Sequence, residues 1–144
     1  MKELTNRELI ERAVTVLKPR RLAHENTAGD EACALLSSSG HLYFGVCIDV
    51  SSGMGFCAEH SAIAAMITAG ETRISKIVAV WGDKVVLPPC GRCREFMCQI
   101  DTANLECTDV ILGEDHVVKL YELLPHRHDE MESVENQMLK GDGV

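Results

Sequence analysis

Apolar residues return at every third or fourth position near the start of the chain. Leu9, Ile10, Ala13, Val14 and Leu17 mark one helix face, Thr5-Asn6-Arg7-Glu8 has the form of a capping box, and Lys18-Pro19 stops the run. The pattern predicts a helix from about residue 5 to residue 18. Arg20 to Asp30 is polar, contains Gly29 and reads as a loop that could lie over a pocket. Two apolar runs follow, Ala32 to Leu36 and Leu42 to Ile48. Ser37-Ser38-Ser39-Gly40-His41 between them is turn chemistry, so they are expected to pair antiparallel. A glycine-bearing loop, Asp49 to Gly55, leads to Cys57. Ala58, Ala62, Ile63, Ala65, Met66 and Ile67 then predict a helix ending at Gly70.

Ile74 and the run Ile77 to Trp81 are nearly continuous in apolar character, which predicts a central strand covered on both faces. Val85-Val86-Leu87 carries the chain to Pro88-Pro89, and Gly91 to Ile100 reads as a helix with Phe96, Met97 and Ile100 on its apolar side. Cys107 to Leu112 and His116 to Leu120 are strand candidates joined only by Gly113-Glu114-Asp115. A parallel pair needs a crossover of about a dozen residues, so these two are expected to be antiparallel neighbours. A short helix near Tyr121 to Leu124 closes the fold at Pro125. The expected division is a single domain over 1–125 and an acidic extension over 126–144, where Met131, Val134 and Met138 make a weak helical stripe.

Composition narrows the classes. With 144 residues, 46% hydrophobic, the chain is long enough to bury a core of its own. It has no run of 18 apolar residues and no signal-peptide core at its charged start, so a soluble, unprocessed chain with no membrane partner is expected. A net charge of −8 without a basic stripe opposes binding to nucleic acid and favours a small-molecule partner. Seven cysteines, two of them in a C-x-x-C, favour metal binding over a disulfide framework and imply a reducing, cytoplasmic compartment.

The chemistry concentrates in two stretches, Phe56-Cys57-Ala58-Glu59-His60 and Pro88-Pro89-Cys90-Gly91-Arg92-Cys93-Arg94. A catalytic zinc takes three protein ligands and leaves its fourth position open, and Cys57, Cys90 and Cys93 supply three thiolates at two predicted helix N-termini. Three thiolates overcompensate the ion, so Arg92, between two ligands, is expected to donate to the sulfurs, with Arg94 as the weaker candidate. Glu59, two residues after a ligand, can face the open position and carry a proton from water to a leaving group. A structural zinc site would use a fourth protein ligand and leave Glu59 without a task. Cys33, Cys98 and Cys107 are read as packing residues, and Trp81 as core rather than a stacking platform. His60 is either a donor beside the metal or a polar helix residue. Asp49 either meets substrate hydroxyls or caps its loop, and Glu31 either meets a substrate amine or faces solvent.

These motifs, C-A-E and P-C-G-R-C, resemble the cytidine deaminase superfamily, and within it the small three-cysteine class that includes cytidine deaminase and blasticidin S deaminase. The likeness runs from about Leu9 to Pro125. It implies a three-layer α/β/α sandwich around a five-stranded mixed sheet whose last two strands are antiparallel, and a homotetramer whose pockets are completed by neighbours. It implies zinc as cofactor, Glu59 as the acid/base, and Cys47, Asp49, Ala58 and Pro89 as substrate contacts. The reaction implied is hydrolytic deamination of a free cytosine nucleoside. A modified or antibiotic cytosine nucleoside is the alternative, and a non-catalytic zinc-stabilised binding module the remote one. Departures bear on the substrate: Cys47 and Asp49 stand where the family holds ribose with Asn and Glu, and His60 replaces the arginine after the catalytic glutamate.

Overall fold

Thr5 does cap the first helix. Its hydroxyl accepts from the Glu8 N–H at 3.1 Å while the Glu8 carboxylate accepts from the Thr5 N–H at 2.8 Å, and α1 (Asn6–Thr15) follows. The structure, a computed structural model, describes residues 3–130. The stripe of Met131, Val134 and Met138, and the extension from 131 onward, lie outside the described residues.

Helix α1 ends three residues before the expected stop at Lys18. The Lys18 N–H is bonded to the Gly29 carbonyl at 3.1 Å, which draws the chain off the helix axis and onto a strand. Gly29 makes that approach possible: its φ is +85°, and a Cβ there would lie 2.1 Å from the Lys18 oxygen. The expected loop over 20–30 is therefore partly sheet. β1 (Arg20–Arg21) pairs with the first residues of β2 (Thr27–Ser37), an 11-residue strand that begins five residues before its apolar run. Tertiary pairing overrides the poor strand propensity of Gly29-Asp30-Glu31.

β2 runs antiparallel to β3 (Leu42–Asp49) on one side and to β4 (Ile74–Trp81) on the other. A single 3₁₀ turn, Ser51–Gly53, and α2 (Ala58–Thr68) connect β3 to β4. The far side of β4 is divided. Its start pairs in parallel with β6 (Asp109–Gly113), and its end pairs antiparallel with β5 (Val85–Leu87), a strand the apolar pattern left unassigned. α3 (Gly91–Ile100) and a one-turn α4 (Asn104–Cys107) link β5 to β6. β7 (His116–Lys119) then returns antiparallel to β6, as the short connection requires, and α5 (Leu120–Leu123) follows. The sheet is mixed, with five main strands and two short ones. Cys107 ends α4 and is exposed, which corrects its reading as a packed strand residue.

Two cores lie on the two faces of this sheet. Alternation along β2 sends Cys33 and Leu35 to one face and Ala32 and Ala34 to the other. The first face packs on α2, α3 and α5 through Ile63, Met66, Met97 and Leu120, and the second on α1 through Leu9 and Ala13. This is the expected three-layer sandwich. Buried Asn104 ties the α3 end to β4: its side chain accepts from the Ile74 N–H at 2.9 Å and donates to the Met97 carbonyl at 2.9 Å. α2 lies flush on β3 because residue 45 is glycine. A Cβ there would stand 2.2 Å from the Ala62 nitrogen and 2.6 Å from the Ala58 oxygen, so any side chain would lift the turn that carries Glu59. Among the described residues no helix is long and apolar enough to cross a membrane.

Candidate active site

The two cysteine motifs meet at the starts of two helices. Cys57 is the N-cap of α2 and Cys90 the N-cap of α3, both with extended backbone, and Cys93 sits one turn into α3. Their sulfurs gather: Cys57 Sγ and Cys93 Sγ each lie 3.5 Å from Cys90 Sγ, and all three fall within 4.8 Å of one another. Burial pushes the Cys57 thiol up to about 11, with Cys90 adding to it. Burial, then the Glu59 carboxylate, push Cys93 far higher. For Cys90 burial also raises the pKa, but the N–H groups of Cys93 and Arg92 and the neighbouring thiols outweigh it and leave the thiol below its usual value.

This cluster fits a zinc ion. Sulfurs at about 2.3 Å from a tetrahedral ion lie about 3.8 Å apart, close to the observed spacing. Three thiols and a carboxyl crowded against one another resist ionising together, and a dication is the charge that would let them.

Glu59 stands in the first turn of α2, only 4% exposed, against a narrow crevice formed with Ile77, Ala79, Leu87 and Pro89. Its Oε2 lies 3.5 Å from Cys93 Sγ. Burial raises its pKa, partly opposed by its own N–H and by the Cys93 thiol, so the group is suited to holding and releasing a proton. His60, next along the helix, places Nδ1 3.2 Å from Cys93 Sγ, and its ring stacks on Phe96 at 4.4 Å between centroids. Burial and then the Arg92 guanidinium lower the His60 pKa. Arg92 meets the sulfurs through its backbone N–H to Cys90. Arg94 does a different job, donating from Nε to the Pro89 carbonyl at 2.8 Å and from Nη1 to the Leu123 carbonyl at 3.2 Å.

A cavity of about 390 Å³ opens beside Cys57. Gly55, Phe56, Cys57 and Arg92 line it at the cysteine end, and Asp30, Glu31, Cys47, Asp49 and Trp81 line the remainder. Of the four residues expected to contact substrate, Cys47 and Asp49 are therefore on its wall. Pro89 lines the Glu59 crevice, and Ala58, the first residue of α2, is fully buried. Cys47 is 6% exposed, and its sulfur accepts the Glu31 N–H at 3.2 Å. Trp81 is 51% exposed on the cavity wall, which corrects its reading as core. The β2–β4 register carries it past the helices that cover the middle of β4. Asp30 had no signal in the sequence, because its strand is set by pairing. A register shift between Ala28 and Ala32 turns Asp30 and Glu31, adjacent in sequence, to one cavity.

Comparison with known proteins agrees with this geometry. The cytidine deaminase of Halalkalibacterium halodurans is 33% identical over 97 residues, which are 64% of this chain and 71% of that protein. The chain belongs to the cytidine deaminase family. A second cytidine deaminase, from Aliivibrio fischeri, is 39% identical over 90 residues, 60% of this chain; that match spans 28% of the relative's length. Among solved structures, a cytidine deaminase from Mycobacterium leprae superposes with a TM-score of 0.71 at 25% identity, covering 86% of this chain and 100% of that one. No family model matches the chain.

Proposed function

We propose that this cytidine deaminase family member hydrolyses the exocyclic amine of a free cytosine nucleoside to a carbonyl and releases ammonia. The observation that carries the reading is the gathering of Cys57, Cys90 and Cys93 around one point, with buried Glu59 against them and a nucleoside-sized cavity at their side. Cys57, Cys90 and Cys93 would hold zinc, which when bound supplies a Lewis acid that makes water nucleophilic at neutral pH. Glu59 takes the proton of the attacking water, delivers it to the pyrimidine N3, and passes a second one to the departing amine. Its raised pKa suits both halves of that task, because a carboxyl poised nearer neutrality accepts and returns protons readily. His60 and the Arg92 N–H supply hydrogen bonds to two of the sulfurs, so less thiolate charge reaches the metal.

The reading includes a cytoplasmic location, to which seven free cysteines in the described residues are suited. It also includes a homotetramer, for which the exposed Met54, Val85 and Tyr121 offer apolar surface. The test is to load the full chain with zinc and follow cytidine and deoxycytidine by loss of cytosine absorbance and by ammonia. One ammonia per base converted is expected; a zinc-replete protein that releases none from either nucleoside overturns the proposal.

A further inference from the structure

The bend that delivers Cys90 is short of support from its own backbone. Pro88 and Pro89 have no N–H to donate, and the pairing of β5 with β4 ends at Leu87. Yet the cluster depends on where Cys90 stands, because its sulfur lies 3.5 Å from Cys57 Sγ and 3.5 Å from Cys93 Sγ. Its neighbour Pro89 is buried and lines the Glu59 crevice.

Arg94 supplies what the bend lacks. Its Nε donates to the Pro89 carbonyl at 2.8 Å, and its backbone N–H donates to the Cys90 carbonyl at 3.1 Å. A peptide unit is planar, so fixing its oxygen fixes the rotation of the whole unit. The Pro89 oxygen belongs to the plane before the Cys90 Cα, and the Cys90 oxygen to the plane after it. Arg94 therefore holds both planes that meet at that Cα, and with them the direction in which the cysteine side chain leaves the backbone. The backbone half of this arrangement is common to helix starts, but the side-chain half is particular to Arg94.

The other arm of the guanidinium reaches firm ground. Nη1 donates to the carbonyl of Leu123, the last residue of α5, at 3.2 Å. That helix is seated by fully buried Leu120, whose N–H is bonded to the Thr108 carbonyl at 3.2 Å, and by the Glu122 carboxylate, which accepts the Lys119 N–H at 2.7 Å. Arg94 forms no ion pair among the described residues. Its planar fork is directed at two main-chain oxygens instead, a geometry that the point donor of a lysine does not reproduce.

We propose that Arg94 is a positioning residue of the metal centre: by bracing the Pro89–Cys90 bend against α5 it fixes the Cys90 sulfur for zinc and holds the Pro89 wall of the Glu59 crevice. The proposal rests on the reading of Cys90 as a zinc ligand. It gives Arg94 no contact with sulfur, metal or substrate.

The test reads the metal site itself, apart from turnover. Arg94→Met keeps an apolar stem and removes the donors, and Arg94→Lys keeps a charge and one donor group. Zinc affinity of the full chain, measured by competition with a chromogenic chelator, should fall about 10- to 100-fold in Arg94→Met, the range for a lost partner behind a ligand. Arg94→Lys should lose about half as much on a logarithmic scale, because one carbonyl keeps its donor. With cobalt(II) in place of zinc, the visible absorption bands follow the geometry of the thiolate ligands and should shift in Arg94→Met. If Arg94→Met does not fold, Arg94→Lys goes through the same two measurements. Parent-like zinc affinity and cobalt bands in Arg94→Met, or in Arg94→Lys where only that variant folds, overturn the proposal and leave Arg94 a packing residue, whatever the change in Tm. Failure of the deaminase reading would look different: no ammonia from cytidine while the parent still binds zinc. A parent chain that takes up neither metal overturns both.

Discussion

The cysteine end and the carboxylate wall of the cavity are built on opposite principles. At the cysteine end the thiols and the groups against them are partnered: sulfur meets sulfur, the Arg92 and Cys93 N–H groups meet Cys90, His60 meets Cys93, and Glu59 meets Cys93. These groups ride on the first turns of two helices, whose positions are fixed by Gly45 under α2 and Asn104 behind α3. Along the carboxylate wall Asp49 and Asp30 act against the charge of Glu31, and the three ride on strand ends and a bulge. The first region is organised for one reaction. The second holds three carboxyl groups that form no ion pair among the described residues.

The strongest way to break this contrast is at Glu59. If it moves the protons, Glu59→Gln should keep fold and zinc while deamination falls by about 10²- to 10⁴-fold, the range for a lost acid/base. Cytosine absorbance and zinc content measured on one sample decide it; wild-type turnover would place the proton transfer elsewhere. Next comes the metal. Cys93→Ala should bring zinc well below one per chain and abolish turnover. Adding zinc to the chelated parent should raise Tm, by the equivalent of about 2.7 kcal/mol at a free concentration a hundred times Kd. An unchanged melting curve with full metal loading would mean that Cys93 is not a ligand.

The same contrast explains what could be read from the chain. Cys57, Glu59, Cys90 and Cys93 were legible because metal ligation and helix starts impose fixed local spacings, and the antiparallel β6–β7 pair because three residues cannot make a crossover. Asp30 and Trp81 were not. Thr27 to Glu31 looks like loop by propensity and becomes strand only through pairing with β3, β4 and Arg20-Arg21. Trp81 ends an apolar run that reads as core throughout, and its exposure depends on where the flanking helices stop. Properties set by partners distant in sequence leave no local trace.

His60 tests the organised end more gently. Its Nδ1 contact with Cys93 and its stacking on Phe96 place it as an orienting group, so His60→Ala should weaken zinc affinity by about 10- to 100-fold. Competition with a chromogenic chelator measures this directly. Affinity equal to the parent would reduce His60 to a packing residue.

The smallest effect falls on the carboxylate wall, and its sign separates the two regions. Glu31 has its pKa raised above the ordinary 4.5, by burial first and by Glu59, Asp49 and Asp30 after it. Below 4.5 the group is protonated in both folded and unfolded chains and costs nothing. As pH rises, the unfolded chain ionises first, and stability is lost until pH passes the folded value. Neutral Glu31→Gln imitates the protonated form at every pH. Its Tm should match the parent near pH 4 and exceed it at pH 7, by about a degree or two because Glu31 is only half-buried and water screens it. A Tm gap that does not change with pH, or a variant less stable than the parent at pH 7, would mean that Glu31 is satisfied in the free protein, as the groups around the cysteines are.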